Sequence, residues 1–170
     1  NPSGSLKDRI ALYMVDAAER SGKLTKGSVI VEATTGNTGI AFAMVAAVKG
    51  YKMIVVMPEG MSEERKKTIQ AYGASLVFTP GSESDVDLCL KKVDELRKTI
   101  PNVWVPGQFT NADNIRAHEE TTAREILDQT EGRLEALVAG VGTGGTLTGV
   151  ARALKMKAPS VKVVAVEPAE

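Results

Sequence analysis

The sequence predicts an α/β protein made of two open, twisted, mostly parallel sheets flanked by helices, and three observations carry that prediction. Short β-branched apolar runs alternate with amphipathic helical stretches along the whole chain. The segments richest in glycine and threonine, "TTGNTG" and "GVGTGGT", each fall where a strand hands over to a helix, the place where open α/β sheets bind ligands. The connection "PGQFTNADN" is the densest in Pro, Gly and Asn, so a boundary between two lobes falls there, giving a lobe over 1–110 and a second over 111–170.

The strands read are "SVIVEA" (28–33), "KMIVVM" (52–57), "SLVFT" (75–79), "NVWV" (102–105), "ALVAG" (136–140) and "VKVVAVE" (161–167). Helices fall between them. The stretch 7–21 places Ile10, Ala11, Met14, Ala17 and Ala18 at helical spacing, 37–49 is almost all small and apolar, and 62–72 opens with the capping pattern "SEER". Stretches 84–100, 117–129 and 146–157 follow the same logic. Two strands are too few for a stable open sheet, so the second lobe reads as incomplete in this chain.

Composition excludes several function classes. A chain of 170 residues with 43% hydrophobic and 25% charged content can bury a substantial core. Lys+Arg and Asp+Glu both count 21 and are interleaved, so no net field draws nucleic acid or an anionic membrane. The longest apolar runs, such as "AFAMVAAV", are too short to span a bilayer, and the first residues lack a basic-then-apolar signal pattern, so the cytoplasm is the expected compartment. The one cysteine, Cys89, cannot form an internal disulfide and sits at a helix-core position. No metal site is expected.

Three junctions carry the candidate chemistry. In "EATTGNTGIA", Thr34, Thr35, Gly36, Asn37 and Thr38 run from a strand into an apolar helix. Hydroxyls, an amide and free backbone N–H groups at a helix start suit an anion such as a carboxylate, whereas a plain N-cap needs only one of these residues. In "GVGTGGTLTGV", glycines that let the backbone approach closely, with the hydroxyls of Thr143 and Thr146, suit a phosphate at the start of the next helix. The same segment satisfies a dinucleotide pattern through Gly140, Gly142 and Gly145, with Glu167 at the distance of a ribose-binding acid, and on this segment alone the nicotinamide-binding reading leads. The third junction is the opening "NPSGSLKDR", in which a turn runs into Lys7 at the start of a helix. On spacing alone that lysine is a solvated residue near a cap.

Taken together, "NPSGSLKDR", "TTGNTG", "QF" and "GTGGT", in this order and at these intervals, resemble the fold type II pyridoxal phosphate enzymes. Within them the chain is similar to the cysteine synthase (O-acetylserine sulfhydrylase) and cystathionine β-synthase family. "GIAFAMVAAVKGY", "MPEGMSEERKK", "AYGASLV" and "VAVEPAE" extend the resemblance over the whole chain. It implies a tryptophan synthase β-like fold, pyridoxal 5′-phosphate as cofactor, and a chain that is an internal piece of a longer protein. It also implies residue roles. Lys7 would be the lysine that captures the cofactor's aldehyde and later acts as base, and Asn37 would hydrogen-bond the cofactor's ring oxygen. Thr34, Thr35, Gly36 and Thr38, with Gln108, would hold the substrate carboxylate, and Gly142, Thr143, Gly144, Gly145 and Thr146 the cofactor phosphate.

The implied reaction is a β-replacement that makes L-cysteine from O-acetylserine and sulfide, with cystathionine β-synthase or O-phosphoserine sulfhydrylase activity as alternatives. A homodimer and the C-terminal tail of serine acetyltransferase are the implied protein partners. Two readings from other classes stay beside this one: a NAD-dependent oxidoreductase using the glycine loop and Glu167, and a non-catalytic fragment. The chain also departs from the family pattern. Thr35 stands where most relatives carry serine, "SESDVDLCL" lacks their glycine-rich motif, and "TAREI" replaces "TGPEI". These departures bear on the choice of substrate. His118, in "NIRAHEETTAREI", reads as structural rather than catalytic, since this chemistry uses a lysine base.

Overall fold

A computed structural model describes residues 1–82, 84–167 and 169. Glu83 of "SESDVDLCL" and Pro168 and Glu170 of "VAVEPAE" lie outside the described residues. The chain divides into two compact units, Asn1–Gly107 and Gln108–Glu170.

The first unit is a four-stranded parallel sheet with helical crossovers. Its elements are α1 (Lys7–Arg20), β1 (Val29–Ala33), α2 (Asn37–Lys49), β2 (Lys52–Pro58), α3 (Glu63–Ala71), β3 (Ser75–Thr79), α4 (Val86–Thr99) and β4 (Val103–Trp104). The strand order is β3-β2-β1-β4, with Val31 opposite Ile54 in the β1–β2 pair and Val29 opposite Val103 in the β1–β4 pair. β1 and β2 are largely buried because both faces of the sheet are covered there, and apart from Glu32 the buried positions are apolar. Val31, Ala33 and Val56 pack with Cys89 and Val93 of α4 in one buried cluster. Ile10, Ala11, Met14, Val15 and Ala18 form the buried stripe of α1 at the spacing the sequence predicts, with Ala17 only half-buried.

The strand order also places the ligand end of this sheet. From β1 the chain steps outward to β2 and β3, then returns to the other side of β1 as β4. The direction of winding therefore reverses between β1 and β4, and the loops leaving their carboxyl ends lie at the switch point where open sheets take ligands. Thr34 to Gly36 follow β1 and Val105 to Gly107 follow β4. The two loops are tied, since the buried Glu32 accepts the Gly107 N–H at 2.9 Å.

The second unit holds α5 (Asp113–Ala117), a π-helical turn (His118–Thr122), α6 (Ala123–Gln129), β5 (Ala136–Gly140), α7 (Gly145–Lys157) and β6 (Lys162–Val166). β5 and β6 pair in parallel, with Val138 opposite Val164. Ala123, Val150, Ala153, Leu154 and Val161 make its buried cluster. The helix expected over 117–129 starts earlier, at Asp113, and widens at His118, where the His118 carbonyl accepts the N–H of Ala123, five residues on. The Thr121 hydroxyl occupies the Ala117 carbonyl at 2.5 Å, a side-chain competitor for the ordinary helical bond. Among the described residues no helix is long and apolar enough to cross a membrane.

Candidate active site

The opening turn is a folded cap on α1. Gly4 takes φ +85° and its N–H donates to the Asn1 carbonyl at 3.0 Å. Lys7 is the first residue of α1, half-buried, and its N–H donates to Ser5 Oγ at 3.1 Å. Beside it, the Asp8 carboxylate, only 5% exposed, accepts the Ser3 N–H at 2.8 Å and the Ser3 hydroxyl. An acid in the first turn suits the positive end of α1, and this one also pins the loop that leads to Lys7.

The junction after β1 brings the five expected residues together, Thr34 to Gly36 in the loop and Asn37 and Thr38 at the start of α2. Thr34 is buried; its N–H completes the ladder to Val56 O at 3.0 Å and its Oγ1 accepts the Gly36 N–H at 3.1 Å. Gly36 caps α2, its carbonyl accepting the N–H groups of Gly39 at 2.9 Å and Ile40 at 3.3 Å. Asn37, the first helical residue, is exposed, Thr35 is half-buried and Thr38 is buried. Arg65 of α3 braces the loop from outside by donating to Thr35 O at 3.3 Å. Its guanidinium lies so near that a Cβ on Gly36 would stand 3.1 Å from Arg65 Nε. Lys7 opens a different helix of the same unit, and the ion pairs of Lys49 with Asp16 (2.8 Å) and Glu19 (2.6 Å) tie α1 to α2.

In the second unit, the glycine loop runs from β5 into α7. Gly144 takes φ +78°, the left-handed conformation that glycine adopts most easily, and the first intrahelical bond is Thr148 N–H to Gly144 O at 2.9 Å. The N–H groups of Gly145, Thr146 and Leu147 precede that bond and have no helical acceptor. Thr143 and Thr146 flank them with hydroxyls. Gly145 and Gly149 are small for a different reason, packing. A Cβ at Gly145 would stand 2.6 Å from Asn114 Cγ, and one at Gly149 would stand 2.8 Å from His118 Cβ. Glu167 is exposed and shares with Gly140, Val141, Gly142 and Val166 a cleft of about 370 Å³.

α2 and α7 differ from the other described helices in one respect that bears on ligands. Neither has an acidic residue in its first turn, whereas α1, α3, α4, α5, the π-helical turn and α6 each have at least one. The positive ends of these two helices are left without an anion from their own first turns.

Four side chains support the expected residues; of these only His118 was singled out from the sequence, as a structural residue. Asn114, 3% exposed, donates through Nδ2 both to Gln108 O at 2.8 Å and to Thr143 Oγ1 at 3.0 Å, so one amide holds the Gln108 backbone and the glycine loop together. His118, at 2% exposure, bonds Thr146 Oγ1 through Nε2 at 3.2 Å and Thr122 Oγ1 through Nδ1 at 2.9 Å. Arg65 and Asp8 complete the set. Arg65 reaches the Thr35 carbonyl from 30 residues away and Asn114 reaches Thr143 from 29, contacts that residue spacing does not report.

A family model described as pyridoxal-phosphate dependent enzyme matches residues 1–170. The chain is 55% identical to a cysteine synthase of a Flavobacterium species over 168 residues, covering 99% of this chain and 54% of the relative. It is 52% identical over 169 residues to the cysteine synthase of Staphylococcus aureus, with 99% and 54% covered. The chain thus spans about half the length of the curated relatives it matches. Among solved structures, it is similar to a hydrogen sulfide-producing enzyme from Fusobacterium nucleatum, with TM-score 0.95 and 48% identity over 99% of this chain and 55% of the other. An O-acetylserine dependent cystathionine beta-synthase from Helicobacter pylori is similar at TM-score 0.93 and 41% identity, again over 99% and 55%.

Proposed function

This chain belongs to the family of pyridoxal-phosphate dependent enzymes, and on that premise we propose that its protein makes L-cysteine from O-acetylserine and sulfide by β-replacement. The relatives named cysteine synthase support the reaction class. The observation that carries the reading is the pair of helix starts without an acid, one at the hydroxyl-rich turn before α2 and one at the glycine loop before α7. They offer separate places for a carboxylate and a phosphate, the two anionic groups this chemistry brings.

The residues present fit the cofactor. The N–H groups of Gly145 and Thr146, the backbone of Gly142 to Gly144 and the hydroxyls of Thr143 and Thr146 would hold its phosphate, and Asn37 its ring oxygen. Lys7 would attach its aldehyde. When bound, the cofactor supplies an electron sink for charge that develops at the substrate Cα. Thr34, Thr35, Gly36, Thr38 and Gln108 would hold the substrate carboxylate and orient the Cα–H bond. Lys7 Nζ would take the Cα proton as acetate is lost, and the same ammonium would return a proton to Cα once sulfide has added at the β-carbon.

A homodimer, the C-terminal tail of serine acetyltransferase as a partner, and the cytoplasm as compartment belong to this reading through the family resemblance. The test is direct. Full-length protein loaded with pyridoxal phosphate should release cysteine from O-acetylserine and sulfide. Cystathionine formed faster from homocysteine, or cysteine formed faster from O-phosphoserine, would move the assignment to those relatives. Reduction of NAD without any response to pyridoxal phosphate would overturn it.

A further inference from the structure

We propose that His118 and Thr122 are positioning residues that set the hydroxyl of Thr146 as a hydrogen-bond donor toward the phosphate in the glycine loop; this rests on the cradle reading above. The imidazole is 2% exposed and bridges two hydroxyls, with Nδ1 2.9 Å from Thr122 Oγ1 and Nε2 3.2 Å from Thr146 Oγ1. A neutral imidazole has one N–H donor and one bare nitrogen, so the hydroxyl on one ring nitrogen fixes what the other nitrogen can do. If Nε2 accepted from Thr146, that hydroxyl would spend its only proton on the ring and offer an anion nothing but lone pairs. If Thr122 donates to Nδ1, Nε2 carries the proton and donates to Thr146 Oγ1. The Thr146 proton is then free for a phosphate oxygen. For a neutral ring, a relay running Thr122 to His118 to Thr146 is the arrangement compatible with an anion at the start of α7.

The backbone is arranged for this bridge. The π-helical turn lies between the two hydrogen-bonding residues, with His118 at its start and Thr122 at its end. Such widened turns recur at functional sites. The close approach of α7 is made possible by Gly149, where a Cβ would stand 2.8 Å from His118 Cβ and 2.9 Å from Glu119 N. A helix with a side chain there would be pushed off the ring, carrying Thr146, one turn earlier on α7, away from Nε2.

The test measures affinity for pyridoxal phosphate and for inorganic phosphate in full-length protein, the ³¹P resonance of the loaded protein, and the thermal melt of each variant. His118→Leu should weaken phosphate affinity about tenfold and shift the ³¹P signal, as expected for losing a donor to a charged group. His118→Gln, whose Nε2 amide can still donate to Thr146, should restore most of it. Thr122→Val, a near-isosteric change at a half-buried position, should weaken affinity less than His118→Leu, with its melt close to that of the parent; it decides the matter if His118→Leu does not fold. Wild-type affinity in both His118→Leu and Thr122→Val, or His118→Gln as weak as His118→Leu, would overturn the relay while leaving the cradle standing. Wild-type affinity in Thr146→Val and Gly144→Val as well would remove the cradle itself.

Discussion

Gly39 sits directly against Thr34 inside the turn: a Cβ on Gly39 would stand 2.7 Å from Thr34 Cγ2, with Val55 Cγ1 at 3.1 Å and Ile69 Cδ1 at 3.3 Å. The backbone of α2 can approach the loop only because position 39 has no side chain. Gly39→Ala should therefore push Thr34 off its place beside the Gly36 N–H. We expect a loss of about 1–3 kcal/mol, the range for overpacking a filled site, in urea unfolding of the full-length protein. The proposed carboxylate-binding role adds a kinetic consequence: KM for the amino-acid substrate should rise with little change in cofactor affinity. An unchanged unfolding curve would mean that the turn can relax around the extra methyl.

Lys7 opens α1 beside Asp8, whose carboxylate holds Ser3. If its amine attaches the cofactor, protein incubated with pyridoxal phosphate should gain a visible absorption band that Lys7→Ala lacks. Asp8→Asn, which keeps the shape but weakens a charge-assisted bond to Ser3 N, should retain the band. A band of equal strength in Lys7→Ala would assign the attachment to another lysine.

The Lys49 cluster gives a stability prediction with a definite pH dependence. The hydrogen bonds from Lys49 and then Tyr51 hold the Glu19 carboxyl below its ordinary range, and the bonds to Asp16 and then Glu19 raise the Lys49 ammonium above its own. A lowered carboxyl stabilises the fold fully above its unfolded value of about 4.3, and that gain is lost as pH falls through the folded value. A raised ammonium stabilises fully below about 10.4 and loses its gain as pH rises through the folded value. Lys49→Met should therefore cost most near neutral pH and progressively less toward both acid and alkali. These side chains are 24% (Lys49), 31% (Glu19) and 37% (Asp16) exposed, so solvent screening keeps the effect below about 1 kcal/mol. A difference between wild type and variant that stays flat from acid to alkali would show that packing, not charge, links α1 to α2.

Gln108 and Asn114 make a contrasting pair. In the proposed reading the Gln108 side chain serves the substrate carboxylate alone, so Gln108→Ala should raise KM about tenfold and leave cofactor affinity unchanged. Asn114 holds both Gln108 O and Thr143 Oγ1. Asn114→Leu should weaken substrate and phosphate binding together, measured by KM and by pyridoxal phosphate titration. Cofactor loss in Gln108→Ala with KM unchanged would instead place that side chain at the cofactor.

Why some of this was legible in the sequence and some was not follows from how far each signal reaches. β3 and β5 match the apolar runs residue for residue, and α2 matches its small-residue stretch, because strand and helix periodicities are local. β4 shrinks to Val103–Trp104 within the expected 102–105, since only Val29 and Ile30 of β1 lie opposite it. The π-helical turn was invisible: "HEETT" has ordinary helix formers, and the widening comes with Thr121 taking the Ala117 carbonyl and with α7 pressing in at Gly149. The excess of hydroxyls in "TTGNTG" could be read because five polar or glycine residues exceed what a cap needs. Arg65, which braces the same turn from 30 residues away, could not. The glycines of "GTGGTLTG" look alike in sequence but serve different ends: Gly144 meets a backbone angle, while Gly145 and Gly149 make room for Asn114 and His118.

The last prediction separates the two uses that a glycine loop of this kind could have. A monophosphate needs the N–H groups at the start of α7 and no acid, whereas a dinucleotide also needs a carboxylate at the end of the following strand for its ribose. Glu167 stands after β6 and lines the same cleft as Gly142, so its position alone does not separate the two. Substitution does. Gly144 holds φ +78° with Thr148 Oγ1 3.9 Å from the place of its missing Cβ, so Gly144→Val would meet backbone strain rather than a clash. The left-handed turn should open, the N–H groups of Gly145 and Thr146 should lose their common direction, and pyridoxal phosphate titration should detect no binding, with the melt lowered by backbone strain of about 1–3 kcal/mol. Glu167→Gln should bind the cofactor as the parent does. NAD binding in the parent that vanishes in Glu167→Gln would assign the loop to a dinucleotide and withdraw the phosphate role from Thr143 and Thr146.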